Sequence, residues 1–403
     1  MMQHSYVLIY SLVLTLFLCS CDIRNSNVEP EYNFVKVYDD EDVTKSYFPV
    51  GAIETDDGSI IILSAVNDSQ STNYPTIHVM KTDKSGNPEW ETNVDPAYVS
   101  PVTGLLSFGG EIRFVCMDDN SFIAQVMEIN TVTGDVTEVG DMPDSYPLAA
   151  HYSPETNTLV IASYDGIGYN TMITGYDASL NLSFELISPT NKDFSYDIFQ
   201  HLKKQRAPFP FFIHSFENNG ITYYGVNAFS NYTLSLLFVN HSSKTISGRV
   251  NGYQEQGGIG ATVNKADGVF AIAKSKFNIG DIAFATEAAI DVNGIQNVTQ
   301  LEDIAYPELS TKSNVKIVKE ELNGKEMLVY AATTNSNQLA LYFFDAETNE
   351  LKLTEYLGHT NPVEISSFFK ANDGGLIIAG KTMVAGRYER IILYKVATDE
   401  MDF

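Results

Sequence analysis

Hairpin-type turns recur through this 403-residue chain at a nearly even spacing, and that recurrence constrains its fold more than any other feature. With the glycine of "TDDGS" as first anchor (Gly58), comparable turns follow in "SFGGEI" (Gly110), "SPETNT" (Asn157), "ENNGIT" (Gly220), "KADGVF" (Gly268), "ELNGKE" (Gly324) and "ANDGGL" (Gly374). The intervals are 52, 47, 63, 48, 56 and 50 residues. Gly and Asn suit such turns because the hairpin demands positive φ. A second turn follows each anchor 23 to 28 residues later, at Gly86, Gly134, Leu180, Ser243, Gly294, Asn349 and Thr398.

Between the paired turns lie β-rich runs such as "SIIILSAV" and "TIHVMKTD", so each unit reads as four strands. The runs "IIIL", "VFAIA", "MLVYAA" and "LIIAG" are apolar on both faces, as expected where neighbouring sheets pack on either side. Units of about 50 residues in this number predict an all-β, seven-bladed propeller of four-stranded antiparallel blades, with six or eight blades as the alternatives. The last unit ends in "ILYKVATDEMDF" with no room for a fourth strand, while "EYNFVKVYDD" ahead of the first unit holds a spare one. The N-terminal strand is therefore expected to complete the last blade and close the ring, which removes an exposed edge. Only "SYDIFQHLKKQR" (195–206) reads as helix.

The formal charge is −26, which argues against nucleic acid, since phosphate binding needs a basic surface. At the N-terminus, the apolar run from Tyr6 to Leu18 has signal-peptide length and is too short to span a bilayer. It ends in Leu18-Cys19-Ser20-Cys21, which resembles the lipobox of bacterial lipoproteins. That resemblance implies a signal peptide over 1–20, lipid attachment (diacylglycerol plus a palmitate-type acyl chain) at Cys21, and an address at the cell outer membrane. The polar stretch to residue 31 reads as a tether, leaving 32–403 as one propeller domain. Cys116, in "EIRFVCMDD", is then the single mature thiol apart from the lipid-bearing cysteine and reads as a buried strand residue.

The first unit, "AIETDDGSIIILSAV…TIHVMKTDKSGNPEW", is similar to the DGG-type repeats of secreted bacterial β-propeller lipoproteins, and the last unit carries the first half of that pattern. Gly358-His359 gives a WD40-like echo, but Tyr394-Lys395 stands where Trp-Asp would close the unit. With Trp90 as the one tryptophan, a kelch ladder cannot repeat.

In a propeller, loops joining strands two and three, and those joining successive blades, emerge on one face. The long segments 66–76, 95–101, 163–170, 188–210, 251–260 and 383–390 fall there, which makes that face the candidate functional surface. The ligand-binding candidates on it are Tyr74, Tyr98, Tyr146, Tyr164, Tyr169, Tyr253 and Tyr388, suited to stacking on sugars or anchoring a protein interface. Arg387 joins them, as do Lys203, Lys204 and Arg206, the one basic cluster, suited to an anionic group or a partner. Seven scattered histidines without HExxH spacing, no GxSxG elbow and no Walker loop give no catalytic, metal or cofactor assignment. The expectation is a binding or scaffolding module for a protein or glycan of the envelope. The alternative is a glycan-active lyase or hydrolase, with coupled carboxylates at the channel mouth.

Overall fold

The computed structural model describes residues 33–39, 44–68, 74–102, 104–204, 209–253, 257–275, 281–358, 361–384, 388–398 and 401. The signal, Cys21 and the tether lie outside the described residues, as do Arg206 and Arg387. Residues 33–403 form one compact unit. Among the described residues no helix is long and apolar enough to cross a membrane.

Seven separate antiparallel sheets follow one another along the chain, each with its first strand on the inside and its last on the outside. Blade one comprises 45–54, 60–68, 76–82 and 88–93; blade three, 147–153, 158–165, 170–176 and 182–189; blade six, 316–322, 325–333, 339–345 and 351–357. Blade seven takes three strands from 363–396 and its outer strand from Phe34–Tyr38, with Phe34 opposite Lys395 and Tyr38 opposite Ile391. The expected closure is present. Arg390 reinforces it, donating to the Asp39 carboxylate at 2.7 Å and to the Lys45 carbonyl at 2.7 Å, while the Tyr38 hydroxyl donates to the Gly86 carbonyl at 2.9 Å.

All seven first-turn anchors adopt positive φ, from +51° at Asn157 to +89° at Gly374. Of the second set, Gly86, Gly134, Leu180 and Asn349 do so too, and in blade four the left-handed residue is Lys244 rather than Ser243. Thr398 makes no hairpin, because the outer strand of blade seven comes from the other end of the chain.

The core consists of seven apolar clusters, one at each interface between neighbouring blades. Alternation along a strand sorts side chains between the two neighbours. In blade one, Ile60 and Ile62 pack against blade seven while Ile61 and Leu63 pack against blade two. In blade six, Met327, Val329 and Ala331 face blade seven, and Leu328, Tyr330 and Ala332 face blade five. Runs that are apolar on both faces thus have a cause: each second strand has a hydrophobic neighbour on both sides.

Two blades depart from the repeat. Blade two has a split inner strand: 98–99 and 106–108 both pair with 111–118. Pro101, which has no N–H to donate, and Gly104 at φ +82° lie in the break. After the turn at 290–294 the chain lays Ile295–Asn297 parallel against the outer strand of blade four, and only then returns to blade five as the short strand Ile304–Tyr306. Lys274 holds that excursion, donating to the carbonyls of Val298 (2.8 Å) and Leu301 (2.5 Å) and pairing with Asp303 at 2.7 Å.

Candidate functional site

The inter-blade connections meet around the central axis, and on that face the channel opens into a cavity of about 360 Å³ to which all seven blades contribute lining residues. The sequence-based placement of long loops on this face agrees with the topology. An adjoining cavity of about 220 Å³ shares Phe209, Pro210, Gly260, Lys312 and Asn314.

One wall comes from the connection between blades three and four. Helix α1 (Ser195–Leu202) buries Ile198, His201 and Leu202. Phe194, just ahead of it, stacks on Phe229 with centroids 4.0 Å apart and planes 6° apart. The Tyr164 hydroxyl accepts the Phe194 N–H at 3.0 Å, and Ser100 donates to the Leu202 carbonyl at 3.1 Å. After the helix, His201 Nδ1 accepts the Phe209 N–H at 3.0 Å, and its ring stands edge-on to Phe211. This locks Lys204, at φ +54°, and Phe209–Phe211 beside the axis.

The cavity lining is mixed. Phe48, Pro101, Leu148, Phe209 and Phe211 give apolar walls. Lys204, Lys312, Lys316 and Lys381 bring four cations, against Glu364 and Glu389. Lys381 lies between the two glutamates, 3.2 Å from Glu364 and 3.9 Å from Glu389, and over the Phe48 ring at 4.8 Å. Among the described residues, Lys204, Lys312 and Lys316 make no ion pair. Burial pulls the Lys204 amine down to about 8 and also lowers Lys316.

The sequence candidates distribute as follows. Lys204 lines the cavity, whereas Lys203 sits over the Tyr74 ring at 5.5 Å. Tyr74 is buried against Phe122, Phe122 stacks on Tyr146, and Tyr146 meets Phe199 of α1, so these rings form one continuous aromatic patch. Burial raises the Tyr74 phenol to about 12. Tyr164 is fully buried and serves the helix entry. Tyr98 donates to Glu138 at 2.6 Å, and that bond raises its pKa to about 12. Tyr169 and Tyr253 are exposed, and Tyr388 lies beneath the Arg390 guanidinium at 5.7 Å. Lys312, Lys316, Lys381, Glu364 and Glu389 escaped sequence reasoning, because Lys312 lies in a turn, the others lie within strands, and only the closed ring brings them to one cavity.

Among the described residues no group of three or more His, Cys, Asp and Glu is placed to hold a metal ion. The carboxyls with raised pKa stand elsewhere. Asp144, raised by burial, accepts hydrogen bonds from Ser163, Thr174 and Tyr176, and Glu54, also raised by burial, accepts the Asn372 N–H at 2.6 Å.

Two histidines on the inner strands carry a pH dependence. His151 bonds Ser215 at 3.0 Å, and both ring nitrogens of His214 are buried with no hydrogen-bond partner among the described residues. Burial depresses them to about 4 and about 3. Unfolded, both titrate near 6.5, so below that pH the unfolded chain binds more protons and stability falls as pH drops. The raised Asp144 carboxyl acts in the opposite sense, gaining its proton first in the fold. Urea midpoints at pH 7 and pH 5 are expected to differ by roughly 3 kcal/mol in stability from the two histidines, and His214→Phe should remove about half of that.

No known protein-family profile matches the chain, and no curated protein matches it in sequence. Among solved structures, the chain is similar to the β-propeller domain of the Trilobed protease from Pyrococcus furiosus, at 8% identity and a TM-score of 0.46, covering 89% of this chain and 99% of that one. That domain is described as having an open velcro topology. The present ring is closed by its N-terminal strand.

Proposed function

We propose that this chain is an outer-membrane-anchored lipoprotein whose propeller is a binding or scaffolding module, taking a protein or glycan ligand at the mouth of its axial channel. The observation that carries the reading is the cavity itself: walls of Phe and Pro, polar groups set among them, and lining residues from every blade. Such mixed concave surfaces on rigid scaffolds are the usual form of ligand sites. Attachment through Cys21 rests on the lipobox resemblance.

The enzyme alternative would draw on Glu364 and Glu389. Both are already engaged by Lys381, at 3.2 Å and 3.9 Å, in an ion-paired group.

Gly260 offers a clean test. A methyl group built on it meets only the Ala273 carbonyl oxygen, at 3.8 Å, so a larger side chain fits the backbone and enters the mouth. Residues 33–403 contain every core cluster and suit a glycan array and a pull-down from envelope extract. Retention of a glycan or one envelope protein, lost in Gly260→Tyr at unchanged thermal midpoint, is the expected result; retention indifferent to Gly260→Tyr would move the site elsewhere. In cells, labelled palmitate should enter the wild-type chain and not Cys21→Ala. Equal labelling of both would remove the anchor from the account.

A further inference from the structure

We propose that the channel mouth is a site for a small organic anion, with a ring-bearing or apolar body against Phe48, Phe209 and Phe211 and its carboxylate, sulfate or phosphate on Lys204, Lys312 and Lys316. The proposal rests on reading the mouth as a binding surface and adds the chemical class of what enters it.

The argument starts from charge. The chain carries twice as many acidic as basic residues, 51 against 25, yet its axial cavity holds four lysines and two glutamates. One lysine, Lys381, is matched by those glutamates on the blade-seven side. The other three face the cavity from the blade-six lead-in and the end of the helical connection, and among the described residues no carboxylate compensates them. In so acidic a molecule, three lysines lining one cavity with no ion-pair partner among the described residues are the unusual feature. At Lys204 and Lys316, both partly buried, an ammonium without a counter-charge costs free energy, and packing does not need one there. Methionine would cover the same apolar wall as the Lys316 stem.

The depressed amines agree with the geometry, because an arriving anion would restore the charge that burial disfavours. Cavity size separates the two sources of the same anionic chemistry. A bare oxyanion would leave most of about 360 Å³ unfilled, whereas a one- or two-ring organic acid matches it and uses the aromatic walls. Lys312 is exposed at the rim and gives the approaching anion its first contact. The Glu364–Lys381–Glu389 group, on the adjoining blade seven, is suited to hydroxyl or amide groups of the body.

The test is isothermal titration of residues 33–403 with naphthalene-2-carboxylate, its uncharged carboxamide, a digalacturonate, and inorganic sulfate and phosphate. The carboxylates should bind, with sulfate and phosphate at least about tenfold weaker and the carboxamide weaker still. Lys316→Met and Lys204→Met should each weaken carboxylate binding by about tenfold or more, the loss of one charged hydrogen bond. Lys316→Arg should retain it, and Lys84→Met, in the Asp83–Asn87 turn, should leave it unchanged. At pH 8, titrations in two buffers of different ionisation enthalpy should show net proton uptake on binding, since burial pulls the Lys204 amine down to about 8. Without ligand, Lys316→Met should melt no lower than the parent. Equal binding of carboxylate and carboxamide, abolished by Gly260→Tyr, would overturn the anion assignment and leave the mouth as a binding surface. Binding insensitive to both the lysine and Gly260 variants would overturn both. Tight binding of sulfate and phosphate alone would overturn the organic body, and absence of binding by every probe would overturn the site.

Discussion

A chain that begins at residue 44 instead of residue 33 is expected to lose about 4 kcal/mol of stability and to aggregate during purification. The strand removed supplies five residue pairs to the ladder of blade seven. Phe34 and Tyr38 also leave the blade-seven/blade-one interface, where they pack against the core of Ile60, Ile377 and Leu393. Two half-buried aromatics contribute roughly 1 kcal/mol each at about 25 cal/mol per Å². The backbone and Tyr38 hydrogen bonds supply the rest, at about 1 kcal/mol net for a bond that water does not replace. Arg390, its side chain 2% exposed, loses the Asp39 carboxylate and keeps the Lys45 carbonyl. The strand 388–396 would then present an unpaired, apolar edge to other chains. Urea midpoints of the two chains measure the loss, and size-exclusion chromatography reports the association.

The second large effect is expected at the rim of blade five. Lys274→Met should cost about 3–5 kcal/mol, the range for breaking a buried ion pair by removing one partner. Both members are buried, at 5% and 10% side-chain exposure, and the ammonium also serves two backbone carbonyls. Asp303→Asn should cost less, because the amine keeps the Val298 and Leu301 oxygens. An equal or larger loss in Asp303→Asn would contradict this assignment of the anchor. Since Lys274 fastens the detour through Ile295–Asn297, its loss should also raise amide exchange in that parallel strand.

Blade number, turn positions and ring closure were legible in the sequence because each rests on local chemistry. A hairpin needs positive φ, so Gly58, Gly220 and Gly374 announce it, and a strand packed on both faces must be apolar throughout, so "IIIL" does as well. The spare strand at Phe34–Tyr38 followed from counting four strands per blade. What stayed hidden depends on contacts distant in the chain. Ile295–Asn297 pairs parallel with blade four through backbone groups that any residue offers. Lys316 in "SNVKIV" reads as an ordinary strand-end lysine, and only the ring brings it to the same cavity as Lys204, more than a hundred residues earlier. Tyr74 and Tyr164 read as loop aromatics, and folding buries both, Tyr74 beneath a lysine and Tyr164 at the helix entry. A pattern of loop tyrosines thus locates the face but not which rings reach solvent.

The whole account depends on the two chain ends sharing one sheet, since that closure gathers seven inter-blade connections about a single mouth. Val37 and Ile392 stand directly opposite in the ladder, within the Cα separation a disulfide tolerates. In residues 33–403 carrying Val37→Cys and Ile392→Cys, mild oxidation should join the 37- and 392-containing peptides in a non-reducing digest and raise the urea midpoint; two thiols that stay free in the folded protein would contradict the closed ring.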